Sequence, residues 1–425
     1  MDLVLPRGRF ARSVAVLAGG TALGQLIVVL ASPILTRLYT PEDFGVLAVY
    51  TSILGILSVV ASWSYELAIP LPEKDEDAAN LLVLSLCIVM FMSLLVGIGT
   101  CIFGVQIMRW ANALTLQSYL WLLPLGIAMA GTYNALNYWA VRKQAFPRIA
   151  QTKFNQGIGS VITQIGLGLL KLNPLGLLVG HIVGQTAGIT TLAALAQKND
   201  AHIIKSVCPR QIRYIAVRYR RFPFFSSIAA LLNALGLQIP ILLLSAFYST
   251  QVVGQFSLAQ KVFGIPLNLI GISVSQVYLS RAALDGRTDI QGLQRLFYSV
   301  AKRLAALGII PAIVVMITGP SLFYLVFGDQ WQQAGIYAQI MAAMYLSAFV
   351  TGPLSYTFSI MERQDLAIIW SGGRLLLSAG SIYLAYILGW NAVNAIIAYS
   401  LAMLVGYLSL FSLSALAIRG QIKNR

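Results

Sequence analysis

Residues 78–104 read AANLLVLSLCIVMFMSLLVGIGTCIFG, a run without a single charged side chain. The hydrocarbon core of a bilayer is roughly 30 Å thick and needs about 20 such residues in a helix. The whole chain has the same character, since 58% of its residues are hydrophobic and only 10% are charged. A soluble domain carries about 25% charged residues. The sequence therefore predicts an integral membrane protein with little mass outside the bilayer.

Long apolar runs of this kind occur at twelve positions and predict an all-α polytopic protein. A helix satisfies its own backbone hydrogen bonds in lipid, whereas an open sheet does not. Strands of a membrane barrel would instead show about ten alternating residues each. The predicted helices span 13–38, 44–70, 78–104, 114–141, 149–170, 174–196, 223–248, 253–279, 303–327, 333–360, 365–388 and 392–418.

Positive charge falls on alternate loops between these helices. Of the 29 Lys and Arg residues, 23 lie in the two termini and in the loops that follow the even-numbered helices. The positive-inside rule places this set, including both termini, in the cytoplasm. The opposite side holds only Arg37, Arg109 and Lys171. Topology and contact with anionic lipid thus account for the net charge of +15, and no nucleic-acid partner is expected.

The longest basic loop divides the predicted helices into two groups of six. This predicts an N-terminal lobe over 1–196, a basic cytoplasmic linker over 197–222 and a C-terminal lobe over 223–425. Residues 38–45 and 247–254 echo each other, because both place a tyrosine six residues before a glycine. Two lobes related by a parallel pseudo-two-fold axis around a central cavity are expected. The alternative is that two short turns converged on a similar composition.

Apart from charges in the terminal two residues of a span, three cations and one carboxylate lie within the predicted spans, namely Lys153, Lys261 and Arg374 against Glu66. A charge at mid-membrane costs about 2.5–3.5 kcal/mol on insertion scales, so it usually faces a cavity or a partner. The excess of cations predicts a cationic cavity that favours an anionic substrate, such as a phosphate or carboxylate group. For Lys153 and Glu66, contact with lipid headgroups is an equal alternative, because both lie near the ends of their helices.

Polar side chains form one-sided stripes on several predicted helices. The stripe through Lys261 includes Ser257 and Asn268, and the stripe through Arg374 includes Ser378. The stripe on helix 5 that runs beside Lys153 consists of Thr152, Gln156, Ser160 and Thr163. Cavity lining and close helix packing both explain such stripes. On helix 6 a four-step ridge of glycines predicts close packing, with His181 beside it as a satisfied interior residue. The ridge consists of Gly176, Gly180, Gly184 and Gly188.

The sequence has none of the common motifs for ATP hydrolysis, serine hydrolysis or zinc proteolysis. Its two histidines and three cysteines show no metal-ligand spacing, so no metal or cofactor is expected. A membrane enzyme is therefore the less favoured class of function. Such an enzyme needs a sizeable outer loop with catalytic groups, and every predicted outer loop is short.

Several short stretches follow one another along nearly the whole chain. They are LTRLYTPEDFG at 35–45 with YELAI at 65–69, YWAVRKQAF at 138–146, RFP at 221–223 with QIP at 238–240, VGQFSLA at 253–259 and FGDQWQQAG at 327–335. Each stretch is weak alone, but the ordered set resembles the polysaccharide flippases of the multidrug/oligosaccharidyl-lipid/polysaccharide exporter superfamily. The likeness is closest to the O-antigen and exopolysaccharide repeat-unit flippases of bacterial inner membranes.

The resemblance implies a transporter rather than an enzyme, one that flips undecaprenyl-diphosphate-linked oligosaccharide by alternating access. The candidate contacts for diphosphate and sugar are Lys261, Arg374, Lys153, Asn268, Gln156, Asn137 and Tyr356. Core packing is the alternative for Asn137 and Tyr356. Glu66 is the candidate carboxylate for coupling to H⁺ or Na⁺, and a polysaccharide polymerase and a chain-length regulator are implied partners. The first rival is a multidrug or small-molecule antiporter, which needs a buried carboxylate; only Glu66 and Asp365 are available. The second and less favoured rival is a membrane enzyme of polysaccharide assembly.

The charge asymmetry generates a topology prediction. Reporter fusions at residues 110, 172, 250, 330 and 390 are expected to report the periplasm, because each lies opposite the basic loops. Fusions at the C-terminus and within 197–222 are expected to report the cytoplasm. Cytoplasmic signals at two or more of the five outer positions contradict the twelve-helix map.

Overall fold

The computed structural model describes residues 7–205, 207–361 and 363–423. Every regular element within these residues is helical. The chain divides into two compact units, Met1–Ala234 and Leu235–Arg425, with the division falling inside a helix. The unit boundary thus lies twelve residues beyond the end of the basic linker at 197–222 that the sequence indicated.

Over its described residues, the first unit contains eight helices and the first turns of a ninth. Short 3₁₀ turns at Tyr65–Ala68 and Leu114–Tyr119 precede two of its helices, and a π-helical turn at Phe222–Ser226 ends the basic segment. The eight helices are α1 (Arg7–Leu38), α2 (Pro41–Val60), α3 (Asp75–Trp110), α4 (Leu122–Arg142), α5 (Phe146–Leu169), α6 (Leu175–Thr186), α7 (Ile189–Lys205) and α8 (Pro209–Arg218).

The second unit begins within α9 and continues through further helices. Two 3₁₀ turns, Asp329–Trp331 and Pro353–Tyr356, flank its central helix α12. The helices are α9 (Ser227–Phe247), α10 (Thr250–Thr288), α11 (Ile290–Phe327), α12 (Gln332–Thr351), α13 (Thr357–Ile360), α14 (Gln364–Ile387) and α15 (Ala392–Lys423).

Nine helical segments among the described residues are long and apolar enough to cross a membrane. The chain is therefore a multi-pass membrane protein. The predicted spans at 114–141, 149–170 and 253–279 are not among the nine, although they coincide with α4, α5 and α10, helices of 21, 24 and 39 residues. A hydropathy criterion alone overlooks a helix such as α5, because many of the side chains along it are polar.

Two predicted helices are shorter in the structure because the backbone turns left-handed. Helix 2 ends at Val60 rather than at residue 70, and Trp63 and Ser64 follow with φ of 51° and 58°. Helix 6 breaks at Gly188, whose φ of 122° separates α6 from α7. Such φ values are uncommon outside glycine and do not continue a right-handed helix. The segment 197–222 is also more ordered than a loop, since it contains the end of α7 and all of α8.

The similar stretches at 38–45 and 247–254 each form a side-chain cap at the N-terminus of a helix. Thr40 caps α2, because its hydroxyl accepts from the Asp43 N–H at 3.2 Å while the Asp43 carboxylate accepts from the Thr40 N–H at 2.9 Å. Ser249 occupies the matching position before α10 and accepts from the Val252 N–H at 3.2 Å. A side-chain cap of this kind satisfies a donor that the first helical turn leaves open. The pseudo-two-fold axis itself remains a prediction.

Glycines allow α1 and α5 to approach until their backbones touch. A Cβ placed on Gly157 would lie 2.5 Å from the carbonyl oxygen of Gly24, and one placed on Gly24 would lie 2.5 Å from the carbonyl oxygen of Lys153. One turn earlier on α1, a Cβ on Gly20 would meet Ala150 at 2.7 Å. In lipid there is no hydrophobic driving force between helices, so their association depends on close contact, and small residues at such crossings allow it.

The glycine ridge of α6 packs as predicted. Each of its glycines faces a larger side chain, so a methyl group at any of them would collide with its neighbour. His181, beside the ridge, is bonded to Gln185 at 2.8 Å and lies edge-on to Tyr50, which confirms it as a satisfied interior residue. The facing pairs are Gly176 with Tyr39, Gly180 with Gln164, Gly184 with Ser160 and Gly188 with Thr152.

Two glycines of α5 offer a matched test of this packing. Gly157→Ala is expected to lower stability by about 1–3 kcal/mol, because the new methyl group enters the space of the Gly24 backbone. Gly166→Ala on the same helix has nothing within 4 Å of the new methyl group and is expected to be neutral or slightly stabilising. Thermal unfolding of both variants in one detergent measures the difference. Equal melting temperatures contradict a packed α1–α5 crossing.

Candidate functional site

In the first unit, the predicted residues Lys153 and Gln156 lie together on α5. The Lys153 Nζ stands 4.9 Å from the centroid of the Tyr133 ring of α4 and donates to the Gln156 side-chain oxygen at 3.3 Å. The Gln156 amide nitrogen in turn donates to the carbonyl of Gln185 at 2.9 Å. Lys153 makes no ion pair with a described carboxylate, so an aromatic face and an amide take the place of a counter-ion.

Other members of the α5 stripe serve packing instead. Thr152 shares a hydrogen bond of 2.8 Å with the Tyr133 hydroxyl, and Ser160 lies under Gly184. Asn137, one turn along α4 from Tyr133, differs from them. Its side-chain oxygen is buried and has no hydrogen-bond partner among the described residues. Buried acceptors are nearly always satisfied, so this oxygen is available to a water molecule or a ligand hydroxyl.

Glu66 lies in the 3₁₀ turn between α2 and α3, not at the end of a long helix 2 as predicted. The Ser62 hydroxyl donates a hydrogen bond to its carboxylate, and Tyr138 of α4 lies within its electrostatic reach. Burial raises the pKa of the Glu66 carboxyl, and the hydrogen bond from Ser62 opposes this only in part. No described cation forms an ion pair with it. Glu66 is thus a partly desolvated carboxyl that holds a proton more readily than an exposed glutamate.

The backbone that presents Glu66 is strained. Trp63 and Ser64 are consecutive non-glycine residues in the left-handed region, where each costs on the order of 1–3 kcal/mol. The Ser64 hydroxyl is buried and shares a hydrogen bond of 2.9 Å with the buried hydroxyl of Ser227. Tyr65 donates to the Ala216 carbonyl at 3.0 Å. Contacts on both sides of the turn therefore hold a conformation that the isolated segment would avoid.

In the second unit, Arg374 is buried within the bundle. Only 8% of the residue is exposed, and its guanidinium lies 5.0 Å from the centroid of the Trp370 ring one turn earlier on α14. A Cβ on Gly236 of α9 would lie 3.1 Å from a guanidinium nitrogen, so α9 passes directly over the charge. Tyr399 and Tyr407 of α15 also lie within reach of that charge. The guanidinium is fixed in place by aromatic rings and a backbone.

Lys261 of α10 is half-buried and makes no ion pair with a described residue. The next residues, Val262 and Phe263, line an apolar groove of about 340 Å³ between α10, α11 and α12. The Phe263 ring stacks on Tyr345 with centroids 4.7 Å apart. Lys261 therefore stands as a cation beside an apolar surface, with no described carboxylate to compensate its charge.

The remaining predicted residues divide by environment. Tyr356 ends a 3₁₀ turn and is 43% exposed, which leaves its ring accessible. The side chain of Asn268 lies outside the part of the chain that the structure describes. Ser257 and Ser378, which belong to the stripes through Lys261 and Arg374, donate to carbonyls of their own helices at 2.9 and 3.1 Å. These hydroxyls are satisfied locally, as the packing interpretation expects.

Sequence reasoning missed a charged network around Arg142. The Arg142 guanidinium pairs with Asp75 at 2.7 Å and donates to the Pro72 carbonyl at 2.7 Å. Lys143 bridges Asp75 at 2.8 Å and Asp200 at 3.0 Å, and the indole of Trp139 donates to Asp200 at 3.1 Å. This network joins the ends of α3 and α4 to α7. The signal in the sequence was the basic pair after helix 4 against the acidic run at 75–77.

Burial lowers the pKa of the Lys143 ammonium, but the hydrogen bonds and charges of Asp75 and Asp200 outweigh it and leave the pKa raised. Lys143 therefore stays charged over the physiological range. Its stabilising contribution is fully present below the pKa of the unfolded chain and is lost only as the pH rises through the still higher folded pKa.

Two stretches that carry the sequence resemblance meet in the second unit. The Gln255 amide nitrogen donates to the Gln330 carbonyl at 2.6 Å, and its oxygen accepts from the Ala334 N–H at 3.0 Å. Trp331 beside them is fully buried. One amide thus fastens α10 to the start of α12, so these residues serve the scaffold.

A family model described as "Polysaccharide biosynthesis protein" matches residues 34–336, well over half of the chain. The teichuronic acid biosynthesis protein TuaB of Bacillus subtilis (strain 168) is 25% identical over 164 residues. That match covers 39% of this chain and 34% of TuaB, so it spans about a third of the length of this relative.

Solved structures share the fold over nearly the whole chain. An inward-facing multidrug resistance MATE family transporter of the MOP superfamily aligns with a TM-score of 0.78 at 15% identity, covering 94% of this chain and 96% of the other. The lipid II flippase MurJ, in its inward closed conformation, gives 0.73 at 13% identity, with 95% and 87% covered. A mutant of the Vibrio cholerae MATE transporter VcmN gives 0.59 at 13% identity, with 98% of each chain covered. The predicted fold class, an all-α polytopic bundle of the MATE type, is confirmed.

Proposed function

Because this chain belongs to the polysaccharide biosynthesis protein family, we propose that it is a flippase of the bacterial inner membrane. It moves undecaprenyl-diphosphate-linked oligosaccharide repeat units from the cytoplasmic to the periplasmic leaflet by alternating access, driven by an ion gradient. The MATE-type fold supports transport as the activity. Family membership confirms the resemblance on which the sequence prediction rested.

One observation carries the substrate class: Lys153, Lys261 and Arg374 lie on sheltered helix faces, whereas the buried carboxylate of Asp200 is neutralised by Lys143. Arg374 is buried against aromatic rings, Lys153 rests on Tyr133 and Lys261 has no counter-ion among the described residues. Each of these cations gains a charge-assisted contact when an anion enters. The diphosphate of a polyprenyl carrier supplies that anion, and a cationic drug would be repelled. Arg374 and Lys261 are the principal diphosphate contacts of the proposal, with Lys153 as a further one.

The rest of the carrier also finds a suitable environment. The polyprenyl chain stays in lipid, and the apolar groove beside Lys261 gives it a surface next to the cation. The sugars meet polar groups in this proposal: the unsatisfied oxygen of Asn137, the Gln156 amide, the exposed ring of Tyr356 and Asn268. A polysaccharide polymerase and a chain-length regulator are the proposed downstream partners, because flipped units have to be joined.

Glu66 is the proposed coupling carboxylate. It is half-buried, it has no ion pair with a described residue, and a strained turn presents it. A carboxyl that gains and loses a proton in such a turn changes the charge that the turn must accommodate, which links protonation to backbone conformation. H⁺ fits this arrangement better than Na⁺, because one carboxylate and one serine offer too few oxygen ligands for a metal cation.

The cations generate the central prediction. Lys261→Ala and Arg374→Ala are each expected to cut flipping about 10- to 150-fold, since a charge-assisted phosphate contact contributes roughly 1.5–3 kcal/mol. Lys261→Arg is expected to retain much of the activity. The measurement is accumulation of lipid-linked repeat units in the cytoplasmic leaflet together with loss of surface polysaccharide.

Lys302→Ala, an exposed cation of α11, serves as the control and is expected to leave flipping unchanged. Membrane abundance and melting temperature separate a transport defect from misfolding. Normal surface polysaccharide in the Lys261→Ala/Arg374→Ala double variant contradicts the cation site. Export of a cationic dye by the wild type, abolished by Glu66→Gln, would instead identify a multidrug antiporter.

The coupling carboxylate gives a pH prediction. In proteoliposomes, Glu66→Gln is expected to abolish the stimulation of flipping by an imposed pH gradient, because the amide cannot exchange a proton. The wild-type rate is expected to change with pH nearer neutrality than an exposed glutamate would titrate, since burial raises the pKa of Glu66. Glu73→Gln, an exposed glutamate of the same connection, is the matched control. Gradient stimulation that survives in Glu66→Gln rules out this role.

A further inference from the structure

Helix α8 has one face packed on the first unit and one face turned outward. Ile215, on the inner face, is 1% exposed, whereas Tyr214 and Val217 on the outer face are 56% and 57% exposed. Spacings of three and four residues place the outward side chains on one side of the helix. We call this outer surface the α8 face; it consists of Arg210, Arg213, Tyr214, Val217 and Arg218.

Hydrogen bonds fix the orientation of α8. They come from the 3₁₀ turn before α3 and from the first turns of α3, and they reach both ends of the short helix. The helix is therefore held as a defined element, with its outward face set by the unit beneath it. The bonds are Tyr65 hydroxyl to Ala216 carbonyl (3.0 Å), Gln211 amide to Asp77 carboxylate (2.9 Å) and Cys208 N–H to Asn80 side-chain oxygen (3.2 Å).

The position of α8 along the membrane follows from the spans that begin beside it. The candidate span Asp75–Trp110 begins at the end of α3 to which α8 is bonded, and the candidate span Phe222–Phe247 begins four residues after α8 ends. Phe224 and Ile228, in the first turns of that second span, are 64% and 56% exposed, as expected for side chains that meet lipid. Helix α8 thus lies where hydrocarbon gives way to headgroups.

The charge at this level is strongly positive. Five arginines lie within twelve residues, all are exposed, and none forms an ion pair with a described residue. The sequence has no Asp or Glu between Asp200 and Asp285. Of the acidic residues in the first turn of α3, Asp75 pairs with Arg142 and Lys143, and neither Glu76 nor Asp77 forms an ion pair with an arginine of the α8 face.

We propose that the α8 face, together with Arg220 and Arg221, is a binding site for the headgroups of anionic phospholipids. A basic face at the lipid boundary attracts anionic headgroups, and each arginine raises the affinity about fivefold. Tyr214 and Val217 interleave with the arginines, and an apolar body beside a charged tip is typical of side chains at the interface. A face that only met water would gain nothing from these two exposed side chains. The site is distinct from the transported substrate and does not depend on its identity.

The test measures lipid binding to the full-length protein in a neutral detergent by native mass spectrometry. The probes are dioleoyl phosphatidylglycerol and dioleoyl phosphatidylcholine at low salt. The wild type is expected to bind phosphatidylglycerol preferentially. Arg210→Gln/Arg213→Gln/Arg218→Gln is expected to weaken that binding on the order of 100-fold, about fivefold for each arginine. Added salt is expected to weaken wild-type binding in the same direction.

The control removes the same number of charges elsewhere. Arg295→Gln/Arg303→Gln/Arg419→Gln changes three exposed arginines of the second unit and is expected to leave the tightest phosphatidylglycerol binding unchanged. Arg210→Lys/Arg213→Lys/Arg218→Lys is expected to keep most of the affinity, and an unchanged melting temperature shows that each variant is folded. Equal losses in the two glutamine triples, or equal binding of both lipids by the wild type, overturn the site.

Discussion

Each cation that the helices carry into the bilayer loses its hydration, and neighbouring groups have to replace it. The protein meets this constraint mainly with aromatic faces and amides. Tyr133 and Gln156 accompany Lys153, and Trp370 lies beside Arg374. A carboxylate partner would neutralise the charge, whereas an aromatic ring stabilises a cation and leaves its charge available to an incoming anion. In the proposed flippase, this choice of neighbouring groups is what suits Lys153 and Arg374 to an anionic substrate.

The opposite solution appears where the charges serve the scaffold. Arg142, Lys143, Asp75 and Asp200 form a closed network of ion pairs at the ends of α3, α4 and α7, and the Trp139 indole satisfies one more carboxylate oxygen. No charge in this network is left over for a ligand. The cations of the scaffold and the cations proposed to bind substrate therefore differ in their partners rather than in residue type.

Close packing of small residues brings helix backbones together in the first unit. The α1–α5 crossing at Gly24 and Gly157 and the α6 ridge bring backbones together without large side chains, which leaves the α5 residue Lys153 to project toward α4. Several of the stretches that resemble polysaccharide flippases also hold helices together, through hydrogen bonds. Gln255 fastens α10 to α12, and Tyr39 donates to the Gln164 carbonyl at 2.7 Å. The resemblance therefore identifies the scaffold more directly than the substrate.

The sequence by itself determined the helical class, the glycine packing of α6 and the short list of intramembrane charges, because hydropathy and small-residue spacing are local properties of the chain. Tertiary structure decided the rest. The left-handed turn at Trp63 and Ser64 ended helix 2 early and gave Glu66 its own turn. Ion pairs between residues far apart in the sequence showed that Arg142 and Lys143 belong to the scaffold. The ring contacts showed that Lys153 and Arg374 rest on aromatic side chains instead. A charge acquires its role from the groups that replace its water, and those groups come from distant parts of the chain.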